Sequence, residues 1–207
     1  MKVRTVEFCG TVVVHDATMP GNLPQIAFSG RSNVGKSSLI NRILGRTKKK
    51  IAHVSATPGK TQGLNFYEVN KAFFLVDLPG FGYARAPEHV RAEWRTLVEG
   101  YLARDDGACG VVHLIDARRD PTSQDRDMLA YLAQLGTPTV VAITKIDKLS
   151  WQKRKDVLPE LIRELGLDPE QVIPLSSKTG EGRDELMDAL ETLVEAQGET
   201  PEDTADA

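Results

Sequence analysis

The sequence predicts a three-layer α/β sandwich, in which a mostly parallel sheet carries helices on both faces. Short apolar runs, rich in β-branched residues and bounded by Gly, Pro or Asp, are typical of strands buried on both faces. Amphipathic segments with apolar residues at helical spacing separate these runs. The predicted strands are 25–29, 72–78, 110–116 and 139–144, and the predicted helices are 36–45, 88–104, 122–135, 150–165 and 182–196.

One strand is expected to run antiparallel at an edge of the sheet. Residues 64–70 and 72–77 are two strand-like runs with almost no chain between them, which indicates a tight hairpin. We assign residues 24–195 to one domain, residues 1–23 to an N-terminal extension that is compatible with a strand, and residues 196–207 to a tail. The tail is small, polar and acidic, and we expect it to be disordered.

The composition excludes several classes of protein. Of 207 residues, 41% are hydrophobic and 27% are charged, which suits one globular domain. No apolar run approaches the ~18 residues that cross a bilayer, and the first residues lack the apolar core of a secretory signal. Two cysteines cannot form a disulfide framework, so we expect a reducing cytoplasm. Without the five acidic residues of 195–207, 26 basic residues face 24 acidic ones, which permits an RNA partner.

Residues 30–37, GRSNVGKS, match the phosphate-loop pattern G-x-x-x-x-G-K-[ST] between a predicted strand and a predicted helix. Glycine at positions 30 and 35 allows backbone conformations that a side chain would block, and successive N–H groups then face phosphates. Lys36 supplies a charge to the β- and γ-phosphates, and the Ser37 hydroxyl can bind Mg²⁺. The plainer interpretation is a glycine-rich turn with an exposed lysine. The candidate phosphate-binding residues are Gly30, Arg31, Ser32, Asn33, Val34, Gly35, Lys36, Ser37 and Ser38.

Three later segments select the nucleotide, and each follows an apolar strand. Asp77 can hold Mg²⁺ through a water, and the Gly80 amide can contact the γ-phosphate. The Asp147 carboxylate can accept two hydrogen bonds from guanine, which adenine cannot donate, while the Lys145 stem covers the base and the Ser177 N–H reaches guanine O6. Strand ends of a parallel sheet meet at one edge. The candidates in these segments are Asp77, Leu78, Pro79, Gly80, Thr144, Lys145, Ile146, Asp147, Ser176, Ser177 and Lys178.

The chain resembles the translation-factor-related class of P-loop GTPases, and more narrowly the EngB family (also YihA or YsxC) of bacterial ribosome-assembly GTPases. The motifs are GRSNVGKSSLIN at 30–41, TPGKTQGLNFYEV at 57–69, LVDLPGFGYA at 75–84, TKIDKL at 144–149 and SSKTGEG at 176–182. The resemblance implies a Ras-like G domain that binds GTP and GDP with Mg²⁺ and hydrolyses GTP to GDP and phosphate. Gly63 departs from it, since a bulkier residue is expected after the glutamine.

The resemblance also places two switches. The first spans 46–63 and would offer a threonine to Mg²⁺; Thr57 and Thr61 both qualify by type, and the resemblance favours Thr61. It adds Gly59, Lys60, Thr61 and Gln62 to the binding residues, and makes Lys36, Thr61 and Gly80 catalytic. The second switch begins at 78, and Phe81 replaces the glutamine that orients water in Ras-like proteins, so we expect slow intrinsic hydrolysis. Asn33 either braces its loop or helps to bind K⁺.

The resemblance implies action in large-subunit assembly and a need for the protein in septation. The expected partner is the large ribosomal subunit or its precursor, through rRNA and ribosomal proteins, with a monomeric chain and neither DNA nor membrane involved. One alternative is a GTP-gated module acting directly on the division machinery; an ATP-using phosphotransferase is disfavoured by TKID at 144–147. The basic run Arg46, Lys48, Lys49 and Lys50 is either a solvated face or an RNA contact. We expect His113 to be a hydrogen-bonded core residue and Trp94 to pack rather than face a partner, and Trp151 lies in a predicted helix.

Overall fold

The computed structural model describes residues 1–13, 20–48, 51–52, 63–81 and 88–198. In chain order its elements are β1 (Val6–Val12), β2 (Gln25–Gly30), α1 (Lys36–Ile43), β3 (Leu64–Val69), β4 (Phe73–Asp77), α2 (Glu88–Leu102), β5 (Gly110–Asp116), α3 (Ser123–Leu135), β6 (Thr139–Thr144), α4 (Trp151–Leu165), β7 (Val172–Pro174) and α5 (Arg183–Gly198). Short 3-10 turns at Ile146–Lys148 and Pro169–Gln171 precede α4 and β7.

The seven strands form one sheet in the order β1-β3-β4-β2-β5-β6-β7. Strand β3 pairs antiparallel with both β1 and β4, whereas the pairs β4–β2, β2–β5, β5–β6 and β6–β7 are parallel. The predicted α/β class is therefore confirmed, with the antiparallel pairing at one edge. The outermost strand there is β1, which comes from the predicted N-terminal extension and covers β3.

The core lies on both faces of the sheet because successive residues of a strand point to opposite sides. In β2, the side chains of Ile26 and Phe28 join a cluster that includes Leu39, Ile40 and Ile43 of α1 and Leu186, Met187 and Leu190 of α5. Ala27 joins the opposite cluster, with Leu97, Val98 and Tyr101 of α2 and Leu132 of α3. The helices thus cover both faces, as the apolar strand pattern predicted.

Helix ends follow local sequence signals. Thr122 caps α3 and forms a reciprocal capping box with Asp125, while Ser150 caps α4. Both helices end at a glycine in the left-handed conformation. Helix α5 continues to Gly198, so residues 196–198, which were assigned to a disordered tail, are helical because the amphipathic pattern before them propagates the helix. Residues 199–207 lie outside the described part of the chain.

The edge strand β1 explains the unexpected glycine at position 63. A Cβ atom on Gly63 would lie 2.4 Å from the backbone oxygen of Val12 and 2.7 Å from Cγ2 of Thr11. Val12 pairs with Leu64, so the end of β1 lies directly beside the start of β3. The same strand carries a bulge at Cys9, where the pairing shifts between Phe8 and Gly10. Glycine is therefore the residue that lets β1 reach this position.

Five parallel strands end at one edge of the sheet, and a predicted site segment follows four of them. The segments after β2, β4, β6 and β7 begin at Arg31, Leu78, Lys145 and Leu175. Since ligands bind beyond the carboxyl ends of such strands, the site is expected at this end of the parallel strands. Among the described residues, no helix combines the length and apolar character that crossing a membrane requires.

Replacing Gly63 with Ala should lower the free energy of unfolding by about 1–3 kcal/mol, because the new methyl group has to displace β1. Urea denaturation measures the loss, and hydrogen exchange should show faster exchange at the β1 amides. Gly45→Ala is a suitable control, since Gly45 has φ +67 with nothing near its Cβ position and should destabilise without affecting β1. Unchanged β1 protection in Gly63→Ala would contradict the steric explanation.

Candidate functional site

The phosphate loop connects β2 to α1 and depends on two glycines with positive φ. Gly30 has φ +150, and a Cβ there would lie 2.9 Å from the Leu114 oxygen and 3.1 Å from Cγ1 of Val34. Gly35 has φ +112 and precedes the first residue of α1. Asn33 also takes a left-handed conformation, with φ 65. The loop therefore turns tightly and presents the free N–H groups of the α1 amino terminus, as an anion-binding loop requires.

Lys36 lies at the first turn of α1 and reaches the end of β4. Its ammonium contacts the Asp77 carboxylate and donates to the Leu78 backbone oxygen at 2.6 Å. Both side chains are buried, and a buried charge requires a close partner of opposite sign. The structure therefore brings the predicted phosphate-binding lysine and the predicted Mg²⁺-binding aspartate together.

The segment after β4 packs directly on the phosphate loop. The Ser32 N–H donates to the Phe81 oxygen at 2.8 Å, and the Ser32 hydroxyl donates to the Gly80 oxygen at 3.3 Å. A Cβ atom on Gly80 would lie 3.2 Å from the Ser32 hydroxyl. The backbone at Gly80, predicted to contact the γ-phosphate, is thus held beside the loop that would cradle the phosphates.

The segment after β6 lies across the same loop. Thr144 donates from its hydroxyl to the Val34 oxygen at 2.8 Å. Lys145 has a left-handed backbone, with φ 63, and its ammonium donates to the Asn33 oxygen at 2.5 Å and to Asp116 Oδ2 at 2.9 Å. Two acceptors therefore hold the Lys145 ammonium, as expected for a lysine that braces this part of the site.

Asp116, at the end of β5, is a site residue that the motif analysis missed. Its carboxylate accepts hydrogen bonds from the guanidinium of Arg118 and from Lys145. Burial alone would raise the pKa of Asp116, but the hydrogen bonds from Arg118 and Lys145 outweigh it and hold that pKa well below its ordinary value. Asp116 is thus a permanent anion that orients Lys145. The Asp-x-Arg spacing at a strand end was the available sequence signal.

Asp147 is oriented by the segment after β7. The Ser176 hydroxyl donates to Asp147 Oδ1 at 2.8 Å, and the same hydroxyl oxygen accepts from the Thr179 N–H at 3.1 Å. Ser176 is buried. The carboxylate therefore has a fixed direction and retains acceptor capacity for a ligand, which is the chemistry that recognition of paired N–H donors on a base requires.

Arg42 is a second residue that the motifs did not reveal. From α1 its guanidinium donates to the Ser177 oxygen at 2.7 Å and also to the Lys178 oxygen. Helix α1 begins at the phosphate loop, so Arg42 ties the segment 176–178 to the element that carries Lys36. No sequence motif marks this contact, because it joins residues far apart in the chain.

Several predicted residues lie outside the described part of the chain: Thr57, Gly59, Lys60, Thr61 and Gln62.

Phe81, in the second switch, lies within the described part of the chain, and its ring stacks on His113 with centroids 5.9 Å apart and planes at 8°. His113 is fully buried, with Nδ1 2.8 Å from the Ser29 hydroxyl, which confirms the prediction of a hydrogen-bonded core histidine. Phe81 is thus seated against the core of the sheet.

Comparison with known proteins identifies the family. A family model described as 50S ribosome-binding GTPase matches residues 25–145. A probable GTP-binding protein EngB from Gemmatimonas aurantiaca is 50% identical over 195 residues, covering 94% of this chain and 95% of the relative. A second, from Desulforamulus reducens, is 45% identical over 203 residues, covering 96% and 97%.

Solved structures share the fold. The crystal structure of a probable GTP-binding protein engB has a TM-score of 0.68 at 24% identity and covers 83% of this chain and 99% of that one. Aquifex aeolicus Era bound to GDP·AlF4⁻ has a TM-score of 0.67, also at 24% identity, over 84% of this chain and 57% of its own. The family match and the identities across nearly whole chains lead to one conclusion: this protein belongs to the EngB family of GTP-binding proteins and is a GTPase.

Proposed function

We propose that this GTPase is a nucleotide-dependent switch in assembly of the large ribosomal subunit, which it binds, or whose precursor it binds, when loaded with GTP. The observation that carries the proposal is the match over residues 25–145 to the model for 50S ribosome-binding GTPases. The need for the protein in septation then follows from ribosome supply. We place the protein in the cytoplasm, where the subunits are assembled, and propose that it acts as a monomer.

In this proposal the triphosphate lies along the loop from Gly30 to Ser37, and its base is recognised by Asp147. The contact of Lys36 with Asp77 and the bracing of Lys145 by Asp116 support this placement, because they gather the cationic groups where phosphates would bind. Triphosphate gives the Lys36 ammonium a second anionic partner. Asp147 favours the binding of guanine over adenine, because guanine offers the carboxylate two N–H donors and adenine does not.

The residues present suit Mg²⁺, which is the metal that we propose. The described residues contain no cluster of three or more His, Cys, Asp or Glu side chains that would hold a metal ion. Mg²⁺ in nucleotide sites is instead bound through one or two protein oxygens together with phosphates and waters. Ser37 and the buried Asp77 would hold the ion, with Thr61 as the proposed third residue. The bound ion would neutralise negative charge on the phosphates.

Hydrolysis is proposed to be slow without a partner. Phe81 stands where a water-orienting glutamine is found in Ras-like proteins, and its ring is stacked on buried His113. An aromatic ring cannot orient a water by hydrogen bonding. The catalytic groups that we assign are Lys36, Thr61 and the Gly80 amide, which stabilise charge on the phosphates, while a partner or K⁺ near Asn33 supplies the rest.

Asp147→Asn should lower GTP affinity by about 100-fold and shift the preference toward XTP, because the amide repels a guanine N–H but can donate to xanthine. Competition binding with labelled GDP, GTP and XTP measures both changes. Ser176→Ala is the matched control, since it keeps the Asp147 carboxylate but removes the hydroxyl that orients it and that accepts from the Thr179 N–H. It should weaken GTP binding by about fivefold without changing the base preference. An Asp147→Asn chain that still prefers GTP would overturn the assignment of the base site.

Hydrolysis of GTP in a single turnover should be at least about tenfold faster in K⁺ than in Na⁺ at equal ionic strength, if K⁺ stabilises the transition state. Asn33→Ala should remove the difference between the two ions and leave the rate in Na⁺ unchanged. Rapid quenching of preloaded complexes gives the rates. Identical rates in both salts for the unaltered chain would leave Asn33 as a bracing residue.

Changing Lys48, Lys49 and Lys50 to Glu should weaken GTP-dependent co-sedimentation with large subunits by at least about tenfold. The slope of log affinity against log salt concentration should fall by the equivalent of about three phosphate contacts. Binding is compared with GTP and GDP at several salt concentrations. Lys2, Arg4 and Lys71, changed together to Glu, form the control. The backbones of Lys2 and Arg4 are hydrogen-bonded to the Asn70 side chain in the β3–β4 turn, at the end of the strands opposite the site.

The control should retain binding, since it alters the same number of charges elsewhere. Equal weakening by the two triple variants would reject the first switch as the contact surface. Absence of GTP-dependent binding in the unaltered chain, combined with capture of division proteins, would favour the alternative of a module acting on the division machinery.

A further inference from the structure

Trp151, the first residue of α4, is unexpectedly exposed. It lies within the amphipathic pattern of this helix, yet 68% of its surface is accessible, more than Phe8, Val13 or Leu135, the other exposed large apolar residues of the described chain. Helix α4 packs through Leu161 and partly buried neighbours on the face that follows from its periodicity. The indole therefore contributes little to the core, and its ring is accessible to a partner.

The chain around Trp151 is basic. Residues 148–155, KLSWQKRK, contain four basic residues and no acidic one. Arg154 is committed to the fold, because it donates to Glu181 Oε1 at 2.7 Å. Lys148 has about half of its side chain exposed, with its ammonium 3.8 Å from Asp147 Oδ2. The Lys155 ammonium lies 3.6 Å from the centroid of the Trp151 ring. A short lysine-rich stretch with an aromatic residue is a pattern of nucleic-acid contact.

The helix places these residues with respect to one another. Lys155 follows Trp151 by four residues and so lies on the same side of α4, with its charge over one face of the indole. Lys148 ends the 3-10 turn that precedes the helix, three residues before Trp151. Lys153 points about 200° around the helix axis from Trp151. We call Trp151, Lys155 and the nearby Lys148 the Trp151 surface below, and Lys153 stands outside it.

We propose that the Trp151 surface binds single-stranded RNA. A base stacks on the indole, and Lys148 and Lys155 contact the flanking phosphates, which is how proteins combine aromatic platforms with cations on single strands. An acidic protein segment would use the lysines but would not require a flat, exposed ring. The inference rests on the proposed ribosomal function, which it deepens by naming an RNA contact at a surface separate from the first switch.

The helix that carries the Trp151 surface is connected to the base site by hydrogen bonds. Arg154, one turn into α4, holds Glu181, whose backbone oxygen accepts from the Ser176 N–H at 3.0 Å. Ser176 in turn orients Asp147. RNA on this surface would therefore lie against the helix that supports the base-recognition segment.

The direct test uses Trp151 as its own probe. The chain has two tryptophans, so Trp94→Phe leaves Trp151 as the single indole. Titration with 12-residue oligouridylate and oligoadenylate should quench its fluorescence by about half or more and shield it from acrylamide. Polyphosphate, which offers charge without bases, should bind without comparable quenching. No quenching by RNA, equal quenching by polyphosphate, or quenching by polyglutamate alone would each overturn the proposal.

Variants then separate stacking from general charge. Trp151→Ala should weaken oligonucleotide binding by about tenfold, Trp151→Phe should retain most of it, and Lys155→Ala should cost more than the matched Lys153→Ala. GTP affinity and the thermal melting temperature should stay unchanged in all four, which confirms folding. Equal losses for the two lysine variants, or none for Trp151→Ala, would reject the surface.

The outcome is distinguishable from the fate of the proposed function. A chain that binds large subunits in GTP but shows no quenching by RNA keeps its function and loses the Trp151 surface. A chain that is quenched by RNA but does not bind subunits keeps the surface and loses the ribosomal role.

Discussion

The site depends on the way a parallel sheet collects strand ends at one edge. Thr144 and the Val34 oxygen, which it contacts at 2.8 Å, are 110 residues apart in the chain. Arg42 and Ser177 are 135 apart and also hydrogen-bonded. None of these contacts would form if a strand shifted its register, since alternate residues would then face the other side of the sheet. The buried strands therefore set the geometry of the loops, and the loops carry the chemistry.

Charge is arranged in this site by pairing. Lys36 meets Asp77, and Lys145 and Arg118 meet Asp116, with the carboxylates of both aspartates largely out of solvent. Removing Lys36 would leave the buried Asp77 charge without its partner, which is more costly than losing a surface contact. The same pairs keep cationic groups near the phosphate loop without mutual repulsion. The site is therefore electrostatically prepared for an anionic ligand by contacts within the protein.

Local patterns predicted the strands, the helices and the phosphate loop, because hydrophobic periodicity and glycine spacing are properties of neighbouring residues. The predicted meeting of Lys36 with the Asp77 segment followed from the strand-end rule. Arg42 was missed because its partners are distant in sequence, and Asp116 because its contact with Lys145 joins two different strand ends. The requirement for glycine at position 63 comes from the neighbouring strand β1, which is far away in the sequence. The exposure of Trp151 could not be predicted, since periodicity gives the spacing of apolar residues but not which side a helix turns inward.

The bulge at Cys9 has a consequence for how two molecules can meet. Strand β1 is the last strand of its sheet, and its outer side offers backbone donors and acceptors that another chain could extend by edge-to-edge addition. The shift between Phe8 and Gly10 breaks the regular spacing of those groups midway along the strand. A visiting strand would find only short matched stretches on each side of the break, and intermolecular sheet growth is thereby discouraged.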